Sequence, residues 1–470
     1  MKSATEVAAD VRNRHCSVRE VVAAALARIE ATNPSVNAFV FLDAEAALAQ
    51  ADAIDAALAR GADPGPLAGV PFGVKDNDAV AGMPTRQGSL LLAEAGAEAR
   101  DSVHVARLRA AGGIPIGKVA CAEFGLDGVT HTLAHGTTRN PWNLGRTPSG
   151  SSGGSSAAVA AGMTPLATGS DGLGSIRCPA GFTGLVGLKP SLGRIPRADG
   201  FRDTSSPGAL TATVTDTARY LDVVSGPSDR DRMSLPPPSV RYEQIIESLD
   251  VAGLKAGFSA DLGFAPVTDE VRALCEAAAG DLASAAGLDL RPDRFTCVNT
   301  YVAWNALAAR TLHSQFQAAG WLPDHADRIS PGPRTFIERH GAMSIREELA
   351  YQDMLKTLER QVAVFFEEHD VLITPTACCE AYAAEGPLPE VIEGRDASQT
   401  NAEPYTTIGS ICWNPSISVP AGLSRSGLPI GLMLTGPRHR DELVLRLARI
   451  WEQARPWPRT APGWDNDLSR

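Results

Sequence analysis

No stretch of the chain approaches the ~18 consecutive apolar residues that a membrane-spanning helix needs. The opening Met1-Lys2-Ser3-Ala4-Thr5-Glu6 runs into an amphipathic helix without the apolar run of a signal peptide. These two absences predict a soluble, cytoplasmic protein that does not engage a membrane. Long acidic or basic blocks are missing as well. The formal net charge of −11 is spread along 470 residues, which leaves no basic stripe for a nucleic acid or an anionic lipid surface. The eight cysteines form no C-x-x-C pair and have no histidine at zinc-site spacing. They read as reduced thiols, and neither a metal nor a cofactor is expected.

What is present is the profile of a globular enzyme rich in tight turns: 44% hydrophobic residues, 21% charged, 44 Gly and 33 Pro. Ser17-Val18-Arg19-Glu20 is a capping box in front of a helical apolar face at Val21, Val22, Ala25, Leu26 and Ile29. An Ala-rich helix is predicted over Ala44–Arg60, a strand over Leu67–Val74, a helix over Asp101–Ala111 and a strand over Ile114–Val119. Later, Ser344–Glu368 reads as a long helix leading into the strand Val371–Pro375. Ser416–Ala421 and Pro429–Leu434 read as strands before a helix over Asp441–Gln453. This alternation predicts an α/β protein, one large domain over 1–470. The Pro-rich stretch Ser234–Pro238 is expected to be a surface loop inside it.

Three segments carry candidate chemistry. Lys75 follows the apolar strand Leu67–Val74, where burial would depress its pKa and yield a neutral amine able to take a proton. From that segment alone, a surface lysine paired with Asp76 is the favoured reading. The Gly/Ser loop Arg146–Ser156 contains neither a phosphate cradle nor a G-x-G-x-x-G fingerprint. Its Gly150-Ser151-Ser152-Gly153-Gly154 matches G-x-S-x-G in letters but has no strand directly before it. In Thr168–Pro179, Ser175 follows small residues and so suits a turn whose backbone N–H groups face one point, with Asp171 and Arg177 as an ion pair bracing it. An ordinary Gly-rich loop with a surface ion pair explains that third segment equally well.

Together the three segments resemble the amidase signature family, and the resemblance spans nearly the whole chain. It runs through Gly117-Lys118, Glu123-Phe124-Gly125, Thr138–Trp142, Gly184–Pro190, Gly226-Pro227, Thr374-Pro375-Thr376, Ser418–Gly422 and Gly427–Leu432. The 24-residue separation of Ser151 from Ser175 is the one that family uses between its two serines. The resemblance implies a mixed central β-sheet flanked by α-helices, with a signature core over about 64–200 and a variable pocket region over about 290–412. It makes Ser175 the nucleophile, Ser151 a bridging serine preceded by a cis peptide, and Lys75 the base. The amides of Gly172, Leu173, Gly174 and Ser175 become the oxyanion hole. Leu173 and Ser149 stand where the family commonly has Gly.

His131 and His135 lack the Glu of H-E-x-x-H and read as loop or rim residues, and Cys178 reads as a packed thiol. Tyr301, Trp304, Tyr382, Tyr405 and Trp413 fall in the least recognisable stretches, and Tyr301, Trp304 and Trp413 are taken as candidates for an apolar substrate pocket. The implied function is a stand-alone hydrolase of small amides, extending to carbamates, with a homodimer compatible with it. Two alternatives stand beside it: the glutaminase subunit of a glutamyl-tRNA(Gln)-type amidotransferase, and a non-catalytic binding protein on the same scaffold. The stretch Asp76–Thr85 favours the free-standing enzyme.

Overall fold

The computed structural model describes residues 1–197, 204–292, 294–341 and 343–464, so the last residues of the expected core segment, 198–200, lie outside the described residues. One mixed sheet of eleven strands organises the molecule. In chain order its strands are β1 (Phe39–Leu42), β2 (Pro71–Lys75), β3 (Ile114–Val119), β4 (Leu166–Asp171), β5 (Val186–Lys189) and β6 (Ser206–Thr211). They continue with β7 (Lys255–Phe258), β8 (Asp289–Arg291), β9 (Val371–Pro375), β10 (Ser416–Leu423) and β11 (Pro429–Thr435). Across the sheet the order is β1-β3-β2-β4-β6-β5-β10-β11-β9-β7-β8. Helices cover both faces.

That covering explains why the strands read as apolar runs and not as alternating ones. In β9, Val371 and Ile373 enter the apolar cluster built with the helices Val214–Val224, Asp269–Ala286 and Asp441–Ala454. Leu372, pointing the other way, packs with Leu358, Val362 and Ile408 from the helices of the opposite layer. A third cluster joins Ile114 and Ile116 of β3 to the helices Val18–Val36 and Ala44–Ala59. The predicted capping box is formed, with the Glu20 N–H donating to Ser17 Oγ at 3.1 Å and the Ser17 N–H donating to Glu20 Oε2 at 2.8 Å.

Two details differ from expectation. The strand expected over Leu67–Val74 begins at Pro71, because Leu67–Gly69 forms a buried turn with Gly69 at φ +71°. The Gly/Ser loop, expected to run to Ser156 before a helix-like stretch over Ala157–Ala161, ends at Ser152. Gly153–Ala160 is a helix buried along its whole length, and a Cβ on Gly154 would come within 2.3 Å of the Ala120 backbone nitrogen, so only glycine allows this approach. The Pro-rich stretch 234–238 is a loop, and strands before and after it share the same sheet.

Candidate active site

The parallel neighbours β2 and β4 deliver the two ends of the site. Lys75 is the last residue of β2 and is wholly buried. Its Nζ lies 2.8 Å from Ser151 Oγ, 3.1 Å from Ser170 Oγ and 3.3 Å from the Ser170 carbonyl oxygen. Burial lowers its pKa to about 8, against the opposing pull of Asp78 and Asp171. The pairing with Asp76 does not form: the Asp76 carboxylate accepts from the Arg86 and Gly88 N–H groups and lies 3.9 Å from Lys118 Nζ.

Ser151 follows a cis peptide bond from Gly150. A Cβ on Gly150 would sit 2.4 Å from the Asp127 carbonyl oxygen, which restricts that position to glycine. The Ser151 carbonyl accepts from the Ala122 N–H at 3.1 Å, and the Ser152 N–H donates to the Ser175 carbonyl at 3.2 Å. The loop bearing Ser151 and the turn bearing Ser175 are thereby tied together.

Ser175 sits on the turn between β4 and the helix Arg177–Thr183. Asp171 and Arg177 brace that turn from behind, both wholly buried and joined at 2.8 and 2.9 Å. Burial alone would raise the Asp171 carboxyl, but Arg177 and the Gly174 N–H outweigh it and hold it at about 2. The Gly174 N–H donates to Asp171 Oδ1 at 2.6 Å, which corrects the expected four-amide oxyanion hole: this donor is spent inside the turn. Among the described residues no protein acceptor takes the N–H of Gly172, Leu173 or Ser175. Gly174 has φ +121°, and a Cβ there would approach Thr406 Oγ1 to 2.7 Å. Thr406 Oγ1 in turn donates to the Leu173 carbonyl at 2.7 Å.

A pocket opens over Ser151 and Ser175, lined also by Leu173, Tyr301, Trp304 and Glu403. Trp304 packs over Gly172 and donates from Nε1 to Thr204 Oγ1 at 3.1 Å, while Tyr301 Oη accepts from Asn401. Leu173 reaches the same apolar cluster as Trp304. Trp413 is elsewhere: it is 38% exposed and lines a separate cavity with Glu359 and Arg438, so it is not part of this pocket. Tyr405 is core, its hydroxyl donating to the Ala260 carbonyl, and Tyr382 packs edge-on against Phe182. His131 is exposed and hydrogen-bonded to Thr137, and Cys178 is fully buried.

Sequence reasoning does not pick out Asn77, Ser170, Asp127 and Glu403, all of which line the pocket. Asn77 Nδ2 donates to Ser170 Oγ at 3.0 Å, so Ser170 accepts from both Lys75 and Asn77. Ser149, one of the two departures from the family's glycines, donates to Glu403 Oε1 at 3.0 Å. Among the described residues no group of three or more His, Cys, Asp or Glu side chains is arranged to hold a metal, and no helix is long and apolar enough to cross a membrane.

The family model described as Amidase matches residues 20–445. An acylamidase of Rhodococcus erythropolis is 35% identical, over 98% of this chain and 97% of that protein. A glutamyl-tRNA(Gln) amidotransferase subunit from Synechococcus sp. (strain RCC307) is 36% identical, over 94% of this chain and 95% of that protein. Among solved structures, a bacterial aryl acylamidase of the amidase signature enzymes superposes with a TM-score of 0.91 at 30% identity, covering 97% of this chain and 96% of that one. A 6-aminohexanoate cyclic dimer hydrolase does so with a TM-score of 0.86 at 30% identity, covering 99% of each. Fold and length coincide with these relatives, and the chain belongs to the amidase family, as an amidohydrolase of the amidase signature type.

Proposed function

We propose that this amidohydrolase cleaves small uncharged amides, aryl amides foremost and carbamates by extension, through an acyl-enzyme on Ser175. The observation that carries the reading is the buried Lys75 amine 2.8 Å from Ser151 Oγ, beside a pocket that also holds Ser175. A neutral amine has one lone pair and two N–H bonds. The two Ser170 oxygens accept the N–H bonds, which leaves the lone pair for the Ser151 proton. Ser151 takes the Ser175 proton as Ser175 Oγ attacks the carbonyl carbon. The N–H groups of Gly172, Leu173 and Ser175 are the donors available to the tetrahedral oxyanion. Collapse breaks the C–N bond, the relayed proton leaves with the amine, and water cleaves the ester by the same route in reverse.

The pocket supports the substrate class. Leu173, Tyr301 and Trp304 offer apolar surface, which suits aryl and alkyl groups better than a zwitterion whose charges must be desolvated. The acylamidase relatives are named for such bonds. The amidotransferase relatives favour the second reading, a glutaminase that works within a larger complex. Purified alone, the chain is expected to give a higher kcat/KM with an anilide than with glutamine, a phenyl carbamate falling between. Preference for glutamine, above all one that appears only with a partner protein, would overturn the proposal. A cytoplasmic location is part of it, supported by eight free thiols. So is a homodimer, supported by Ile345 and Leu349 exposed one turn apart on a long helix and testable by sedimentation.

A further inference from the structure

One acid in the pocket has no place in the relay. Glu403 is 8% exposed, lines the pocket with Ser151 and Ser175, and accepts a hydrogen bond from Ser149 at 3.0 Å. The groups facing it are mostly acids and neutral polar side chains. Asp127 shares the pocket wall, and Asp171 lies behind the nucleophile turn, already paired with Arg177. The Cys178 and Cys379 thiols and the Tyr301 and Tyr382 hydroxyls surround it. Arg197 lines the same pocket and donates to Ser205. Among the described residues no basic side chain forms an ion pair with Glu403. A buried carboxylate without a cation is unfavourable and takes up a proton instead. Burial accordingly pushes this carboxyl up to about 8; the Ser149 and Cys178 side chains oppose the rise, and Asp127 and Asp171 add to it.

We propose that Glu403 is a specificity-determining residue that meets the substrate as an uncharged carboxylic acid, donating its hydroxyl to a neutral acceptor oxygen and offering a free ammonium group no counter-ion. This rests on the amidase reading of the pocket but not on the proton relay. It gives the enzyme a physical means of preferring uncharged amides over amino-acid amides.

The test reads binding and not turnover, in the Ser175→Ala variant, so that failure of the relay leaves it untouched. The probes are 4-acetamidobenzamide, uncharged with a second carbonyl, and 4-acetamidobenzylamine, a cation at neutral pH. Calorimetry is expected to show affinity for the benzamide falling about tenfold between pH 7 and 9.5, as the acid with its midpoint near 8 loses its proton. Adding Glu403→Gln should leave affinity at pH 7 within about threefold and abolish the fall, because the amide keeps a donor that does not titrate. Adding Ser149→Ala instead should move the midpoint upward, since the hydroxyl it removes favours the carboxylate. The benzylamine should bind more weakly than the benzamide at pH 7. A flat profile in Ser175→Ala, a fall that survives Glu403→Gln, or tighter binding of the ammonium at pH 7 would each overturn the proposal. Should the Gln variant not fold, an unmoved midpoint in Ser149→Ala would do so.

Discussion

A lysine with no exposed surface is costly to charge, and in the proposed relay that cost leaves Lys75 able to take a proton. Lys75 is held at about 8, below the 10.5 of an ordinary lysine, so a substantial fraction is neutral at mildly alkaline pH. The rate with a neutral amide should therefore rise through pH 8, and the rise should vanish in Lys75→Ala; a limb that persists there belongs to another group. The same shift is a stability statement. Below its folded pKa the native state carries a penalty that is lost only as pH rises towards the unfolded value. Lys75→Met is thus expected to be more stable than the wild type at pH 6, by up to about 3 kcal/mol in urea unfolding. That advantage should shrink from pH 8 to 10.5, while turnover is lost at every pH. Ser175→Ala should abolish turnover and Ser151→Ala should lower kcat by about 100-fold or more, both without loss of fold, as single-turnover kinetics and circular dichroism would show. An unaltered rate in either would remove that serine from the relay.

At the scale of elements, the turn bearing Ser175 depends on a distant helix. Thr406–Ile411 supplies Thr406, which holds the Leu173 carbonyl, and Ser410, which takes Arg177 Nη2 at 2.8 Å. Replacing Arg177 by Met strands the Asp171 carboxylate in the core, and urea unfolding should register a loss of about 3–5 kcal/mol. Gly174→Ala should lower kcat far more than it raises KM, because its φ of +121° and the 2.7 Å approach to Thr406 force the turn to shift. Equal effects on both would mean that the turn only binds. This scale also shows what the sequence carries. Strands such as Ile114–Val119 and Val371–Pro375 are legible to the residue, since both faces are buried and each run is apolar but for one residue, Lys118 and Thr374. The same property misleads at Leu67, where a buried turn looks like a strand. The residues of the proposed relay, Lys75, Ser151 and Ser175, are readable because three motifs coincide at fixed spacing. Glu403 is not, being one carboxylate brought in by tertiary contact. Trp413 misleads because an aromatic in a stretch of weak resemblance says nothing of which way it faces, and its side chain lines another cavity.

For the whole molecule, the eleven-stranded sheet sets the division of labour. Lys75, Ser151 and Ser175 come from the segment between β2 and the helix after β4, while Tyr301, Trp304 and Glu403 of the pocket come from much later in the chain. On the proposed function, reaction type and substrate choice are carried by separate stretches around one cleft. Swapping the 290–412 region with that of a relative is expected to change the ranking of amides while keeping the pH profile set by Lys75, which parallel kcat/KM profiles would check. Incubation with a chelator should leave the rate unchanged, in keeping with a relay built from Lys75, Ser151 and Ser175; recovery of a lost rate by added zinc would contradict it.

The clasp of Thr406 and Ser410 on the nucleophile turn has a consequence for biosynthesis. A ribosome finishes Lys75, Ser151 and Ser175 more than 200 residues before it adds the two side chains that hold Leu173 and Arg177 in place. Until then the growing chain carries every group of the proposed relay but not these two supporting contacts. On the proposed relay, Ser175 therefore gains its full set of supporting contacts only once the chain has been made through Ser410.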